Sequence, residues 1–226
     1  MISSTTHTVT ATNRTDASLI THDLGKSMGT RTLWSNLNLH CHPGELIALT
    51  GESGCGKTTL LNILGLLERP STGTITYGDQ TLTNCSPRVV RLMHRNVMGF
   101  MFQNYALVEQ WTVKRNLLLA LRSIGAPLRS RNAIIRKALR QVHMERYANR
   151  LVYTLSGGEQ QRIAIARLLI RSPHIVLADE PTAALDIDNR SMVMGHLRSF
   201  ADAGSIVIYT THNQEDADAA DQVITL

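Results

Sequence analysis

No apolar run in this chain approaches the ~20 residues needed to cross a bilayer. The longest, residues 60–67, is interrupted by Asn62 and Gly65. Residues 1–18 are rich in Ser and Thr and lack the apolar stretch of a signal peptide, so they read as a flexible tail. The chain has only three cysteines, Cys41, Cys55 and Cys85. An odd count at wide spacing argues against a disulfide framework and for a reducing compartment. Acidic residues are missing from one long stretch. Residues 113–150 carry ten Lys or Arg and a single acid, Glu145, giving that segment +9 while the rest of the chain is −4. Such a segment is either a solvated helical face or one apposed to an anionic surface, lipid or partner.

What is present is ordinary for a globular chain: 226 residues, 43% hydrophobic and 18% charged. That supports one large domain with a substantial core. The triplet His40-Cys41-His42 has the residue types of a metal site. However, Leu37, Leu39 and Cys41 alternate with Asn38, His40 and His42, which is the pattern of a strand with one wet face. No second ligand pair stands at metal spacing.

Three short runs are continuously apolar: Leu46-Ile47-Ala48-Leu49, Ile175-Val176-Leu177-Ala178 and Ile206-Val207-Ile208-Tyr209. Continuous runs mark strands buried on both faces of a parallel sheet. Each leads straight into polar chemistry: Gly51 onward, Asp179-Glu180, and His212. Ligands of open α/β sheets bind at the carboxyl ends of the strands, so these three loops are expected to converge. Residues 18–50 and 72–83 read as shorter alternating strands, and 112–150 as helices divided at Gly125-Ala126-Pro127.

Gly51-Glu52-Ser53-Gly54-Cys55-Gly56-Lys57-Thr58 fits the phosphate-binding loop, between an expected strand and a helix running from Lys57 to about Glu68. Glycines let backbone N–H groups close around phosphate oxygens, Lys57 reaches the β- and γ-phosphates, and Thr58 suits Mg²⁺. An acid pair ending a strand is unremarkable alone. Beside such a loop, Asp179 suits Mg²⁺ and Glu180 suits orienting and deprotonating a water. Ser156 and Glu159 form a capping box that starts a helix, with Gly157 and Gly158 baring the backbone there. A second anion-binding helix end makes sense if it caps nucleotide held by another copy.

With the phosphate loop, Leu155-Ser156-Gly157-Gly158-Glu159-Gln160-Gln161-Arg162, the 177–186 stretch and His212 in this order, the chain resembles the ABC transporter ATPases from about Leu19 to Leu226. The resemblance implies a P-loop NTPase (RecA-like) α/β core with an antiparallel β subdomain, about 19–103 and 156–226, and an inserted α-helical subdomain, about 104–155. It implies two ATPs sandwiched between head-to-tail subunits, a separate membrane permease as partner, in an exporter of a peptide or antimicrobial, and a place on the cytoplasmic face of the membrane. It carries over phosphate contacts at residues 51–59 (Thr59 included) and cross-dimer contacts at 156–159 and Asp186. Gln103 resembles the residue linking Mg²⁺ to the helical part, and His212 the γ-phosphate switch. Phrases such as Asn62-Ile63-Leu64-Gly65-Leu66-Leu67 are similar to the macrolide-exporter and lipoprotein-releasing branch, and 102–108 to bacteriocin exporter ATPases. One departure stands out: Met28 occupies the place where the family usually stacks an aromatic ring on adenine.

Nucleic-acid roles are not expected. Repair and chromosome ATPases of this family need long insertions, and its translation factors carry two modules per chain. The alternative left open is an ATPase that signals through a membrane partner without transport, as in cell-division complexes.

Overall fold

The computed structural model describes residues 17–183 and 185–226. The expected tail therefore lies largely outside the described residues. Its last two residues belong to the fold, which corrects the expected boundary at residue 18. Ala17 is buried, and the Ser18 carbonyl accepts a hydrogen bond from Gly78 N at 3.0 Å.

Among the described residues, nine strands form two sheets. Strands β1 (Leu19–Met28), β2 (Arg31–Cys41), β4 (Thr72–Tyr77) and β5 (Gln80–Thr81) make an antiparallel sheet in the order β2-β1-β4-β5. Strands β3 (Leu46–Thr50), β6 (Met98–Met101), β7 (Ile175–Ala178), β8 (Ile206–Thr210) and β9 (Gln222–Thr225) make a second sheet in the order β6-β7-β8-β3-β9. Every pairing in it is parallel. The three continuous apolar runs are β3, β7 and β8, side by side at its centre.

Their patterning follows from what covers them. Ala48, Val176, Ala178, Val207 and Tyr209 enter one hydrophobic cluster, while Ile47, Leu49, Ile175, Leu177 and Ile208 enter another. Side chains alternate between faces, and both faces are covered, so the strands are apolar until their carboxyl ends, where Thr50 and Thr210 stand. The first cluster packs under α3 (Val113–Ser123), α4 (Arg131–Gln141), α5 (Gly157–Arg171) and α6 (Ile187–Asp202). The second packs under α1 (Lys57–Leu64), α2 (Pro87–Asn96) and the antiparallel sheet. The short helix α7 (Gln214–Asp218) precedes β9.

Cys41 faces the core while His40 and His42 are exposed, their rings 4.0 Å apart, as the alternation requires. Burial pushes the Cys41 thiol up to about 12. The basic segment is helical, as expected, and breaks at Gly125, Ala126 and Pro127. The helix after the phosphate loop is shorter than expected, ending at Leu64 rather than Glu68. Gly65 packs so closely that an added Cβ would lie 2.6 Å from Phe100, and Leu66 turns left-handed at φ 58°.

Candidate functional site

The parallel register fixes the site. Leu49 pairs with Thr210, Ala178 with Tyr209, and Met101 with Ala178. The residues just beyond these pairs therefore leave one edge of the sheet together: Gly51 after β3, Asp179 and Glu180 after β7, and His212 after β8. Glu180 and His212 reach a cleft of about 460 Å³ whose walls also include Lys57, Thr58 and Thr59, with Ser53, Gly54 and Gly56 lining the loop side.

The loop between β3 and α1 needs glycine where backbone crowds it. Gly51 sits at φ 136°, and a Cβ there would stand 2.7 Å from the Leu226 carbonyl oxygen and 2.9 Å from Cys55 Sγ. Gly56 is left-handed at φ 103° and caps α1, with no room for a Cβ against Trp34 Nε1. Glycine at these two positions lets the loop close tightly at the start of α1, where backbone N–H groups and the helix dipole favour an anion. Lys57 is buried, and its ammonium donates to the carbonyls of Gly51 and Glu52, each at 2.9 Å. Arg31, which also lines the cleft, donates to the Gly54 carbonyl at 3.4 Å.

Oxygen ligands gather at the next strand end. Thr58 Oγ1 donates to Asp179 Oδ1 at 3.1 Å, and Thr210 Oγ1 donates to the same oxygen at 2.8 Å. A hydroxyl and a carboxylate so close are hard donors of the kind Mg²⁺ prefers. Thr210 also accepts from the Glu180 N–H at 2.7 Å. Glu180 adopts φ 46°, a left-handed conformation that costs a non-glycine residue about 1–2 kcal/mol. Such strain persists where surrounding contacts fix it. Here the fixing contacts are Thr210 and His212, whose Nε2 lies 2.5 Å from Glu180 Oε1.

The other expected site residues form a second cluster that does not line this cleft. Ser156 caps α5: its hydroxyl accepts from Glu159 N at 3.3 Å, and Glu159 Oε2 accepts from Ser156 N at 2.8 Å. Partial burial pushes the Glu159 carboxyl up, but hydrogen bonds from Ser156 and Tyr147 prevail and hold it below its ordinary value. Gly157 and Gly158 leave room for Tyr105 and Asn189, whose nearest atoms would stand 3.3 and 3.2 Å from an added Cβ. Asp186 caps α6, accepting from Asn189 N at 2.8 Å and Asn189 Nδ2 at 2.7 Å. Those bonds hold its carboxyl below the usual range. Asn189 Oδ1 in turn accepts from Arg162 Nη2 at 2.7 Å. The starts of α5 and α6 are thus tied by Arg162, Asn189 and Asp186.

Gln103 is not drawn into the oxygen cluster with Thr58 and Asp179. It is exposed in a turn after β6, closed by Tyr105 N donating to the Phe102 carbonyl at 2.9 Å. Thr210, Asn189 and Arg162 were not anticipated as site residues. Thr210 alone carried a signal, as the first polar residue closing an apolar strand.

Residues 34–183 match the family model described as ABC transporter. This chain belongs to that family of ATPases. It is 39% identical over 189 residues to the pyoverdine export ATP-binding/permease protein PvdT of Pseudomonas aeruginosa, covering 83% of this chain and 28% of that protein. It is 35% identical over 201 residues to the macrolide export ATP-binding/permease protein MacB of Campylobacter jejuni, covering 89% and 31%. The chain thus spans under a third of the length of these curated relatives. Among solved structures, the dimeric MJ0796 bacterial ABC transporter cassette superposes with TM-score 0.83 at 30% identity, covering 92% of this chain and 94% of that one. The same cassette in a dimeric post-hydrolysis state with ADP and Pi gives 0.84 at 31%. The fold is therefore that of a P-loop NTPase cassette.

Proposed function

We propose that this ABC ATPase drives an export system by hydrolysing ATP between two cassettes, in partnership with a membrane-spanning permease. One observation carries the reading: Lys57, Thr58, Glu180 and His212 line one cleft, with Asp179 bonded to Thr58 at 3.1 Å, while the Ser156–Glu159 and Asp186 cluster stands outside it. One cluster suits holding nucleotide, and the other suits closing over nucleotide held by a second copy.

Backbone N–H groups of residues 51–59 cradle the phosphates, and Lys57 turns from its loop carbonyls to the β- and γ-phosphates. Thr58 and Asp179 supply oxygens for Mg²⁺, which when bound neutralises charge on the phosphates. Glu180 accepts a proton as water bonds to the γ-phosphorus and the bond to the ADP oxygen breaks. His212 orients Glu180 and faces the γ-phosphate. Gln103, at the same sheet edge, reaches this centre only if its turn moves, which would link nucleotide state to the helical segment. The named activities of PvdT and MacB support export, and their fused permeases support a membrane partner. Among the described residues no helix is long and apolar enough to span a membrane, which fits a cassette working at the cytoplasmic face. The basic segment, residues 113–150, favours contact with anionic head groups there.

Replacing Lys57 by Ala tests the centre. One charge-assisted contact contributes about 1.5–3 kcal/mol, so ATP should bind about tenfold to a hundredfold more weakly and phosphate release should cease. Undiminished hydrolysis would remove Lys57 from the site. Recovery of a multi-span permease with the tagged chain from membranes tests the partnership.

A further inference from the structure

A second cavity, of about 300 Å³, lies away from the nucleotide cleft. It opens where the end of α1, strand β4, the segment 82–85 after β5 and the start of α2 meet. Its walls are mostly apolar, with Ile63, Leu66, Ile75, Leu82 and Val90, and Thr83 and Asn84 adding two uncharged polar residues. Its volume is at the lower end of the range for small-molecule sites, roughly 300–1,000 Å³.

The charges at its edge are unbalanced. Glu68 also lines it, but that carboxylate is engaged by Lys26 at 2.7 Å. The two remaining charged residues are Arg69 and Arg91. Among the described residues neither guanidinium has an ion-pair or hydrogen-bond partner. An apolar pocket with two uncommitted guanidiniums at its mouth matches a ligand with an apolar body and one anionic head. We propose that this cavity binds a small amphiphilic anion, a medium-chain carboxylate or its like. Its occupant would bridge the last turn of α1, whose first residue is Lys57, to α2, which leads into β6. The proposal is independent of the function assigned to the nucleotide cleft.

Cys85 in the cavity wall provides a local reporter. Burial holds its thiol above the ordinary range, with the Arg69 charge pulling the other way, so labelling is best run at alkaline pH. The experiment follows iodoacetamide alkylation of Cys85 and Cys55 in one digest of the full chain by mass spectrometry. Decanoate below its micellar concentration should slow Cys85 at least fivefold and leave Cys55 unchanged. Decyltrimethylammonium and decanol should protect far less. Arg69→Ala with Arg91→Ala should abolish protection without altering the melting curve, since both side chains are exposed. Val90→Trp, filling the cavity from its half-buried edge, should abolish decanoate protection too. Absence of protection, equal protection by the cationic amphiphile, equal slowing of Cys55, or persistence in the double arginine variant each overturns the proposal.

Discussion

His212 Nε2 and Glu180 Oε1 stand 2.5 Å apart, joining the residues that follow two neighbouring strands. His212 is 49% exposed at the side chain while Glu180 is 26% exposed, so the imidazole closes the outer side of the carboxylate. A carboxylate so placed, on a strained backbone, is oriented before substrate arrives.

Glu180→Gln should therefore separate binding from turnover. The amide keeps the size of the side chain and a partner for His212, but it cannot take a proton. General-base catalysis contributes about 10²–10⁴-fold. Phosphate release should fall by at least a hundredfold, with ATP affinity within a few-fold of the unmodified chain. An ATP-dependent dimer should accumulate on size-exclusion chromatography. Turnover reduced less than tenfold would put the base elsewhere.

Met28 lines the same cleft and is 54% exposed. Its thioether covers a base with a smaller and less rigid face than a ring does. Stacking on an aromatic contributes about 1–3 kcal/mol per base in nucleic-acid binders. Met28→Tyr should tighten ATP about tenfold, and the unmodified chain should discriminate weakly between ATP and GTP. Calorimetry with both nucleotides decides. Strong native preference for ATP together with unchanged affinity in Met28→Tyr would place adenine elsewhere.

Cys55 lies within the phosphate loop, half-buried, with Lys57 Nζ 3.9 Å from its sulfur. An adduct on that sulfur would occupy the loop's inner surface. Alkylation should abolish hydrolysis, ATP should protect, and Cys55→Ser should be resistant. Inactivation of Cys55→Ser at the native rate would show that another group is responsible.

The basic segment exposes apolar side chains among its arginines: Leu119 at 53%, Ile124 at 40% and Leu128 at 79%. Each basic residue near an anionic surface contributes about 1 kcal/mol, an attraction that salt screens. The chain should bind vesicles containing phosphatidylserine at low salt, release above about 0.5 M, and ignore phosphatidylcholine vesicles. Co-sedimentation measures this. Equal binding to both lipids, or none at low salt, leaves the segment a solvated face.

The centre of the molecule was legible because several constraints coincide there. Strands β3, β7 and β8 are covered on both faces and so read as continuous apolar runs, and the phosphate loop and α5 cap announce themselves through glycine spacing and side-chain caps. Other elements lacked such a mark. Strand β6, Met98-Gly99-Phe100-Met101, is four residues long, and Gly99 is set by the close approach of Pro173 rather than by any local pattern. The end of α1 is decided by Phe100, remote in sequence. Asn189 and Arg162 are tied across two helices, a pairing invisible to local spacing. Whether Gln103 reaches the oxygen cluster depends on the conformation of a turn, which residue identity does not encode.

The shared register of β6, β7, β8 and β3 acts as a ruler. Adjacent strands lie about 4.8 Å apart, so groups mounted just past their ends are set at fixed intervals whatever the loops do. Loop substitutions can change which atom is displayed at a notch but not the distance between notches. Only a slip of one residue would change the spacing, and it would turn every buried side chain of that strand toward the opposite cluster. The precision of the phosphate chemistry is thus borrowed from the hydrophobic core, and core mutations remote from the nucleotide should register first as lost alignment.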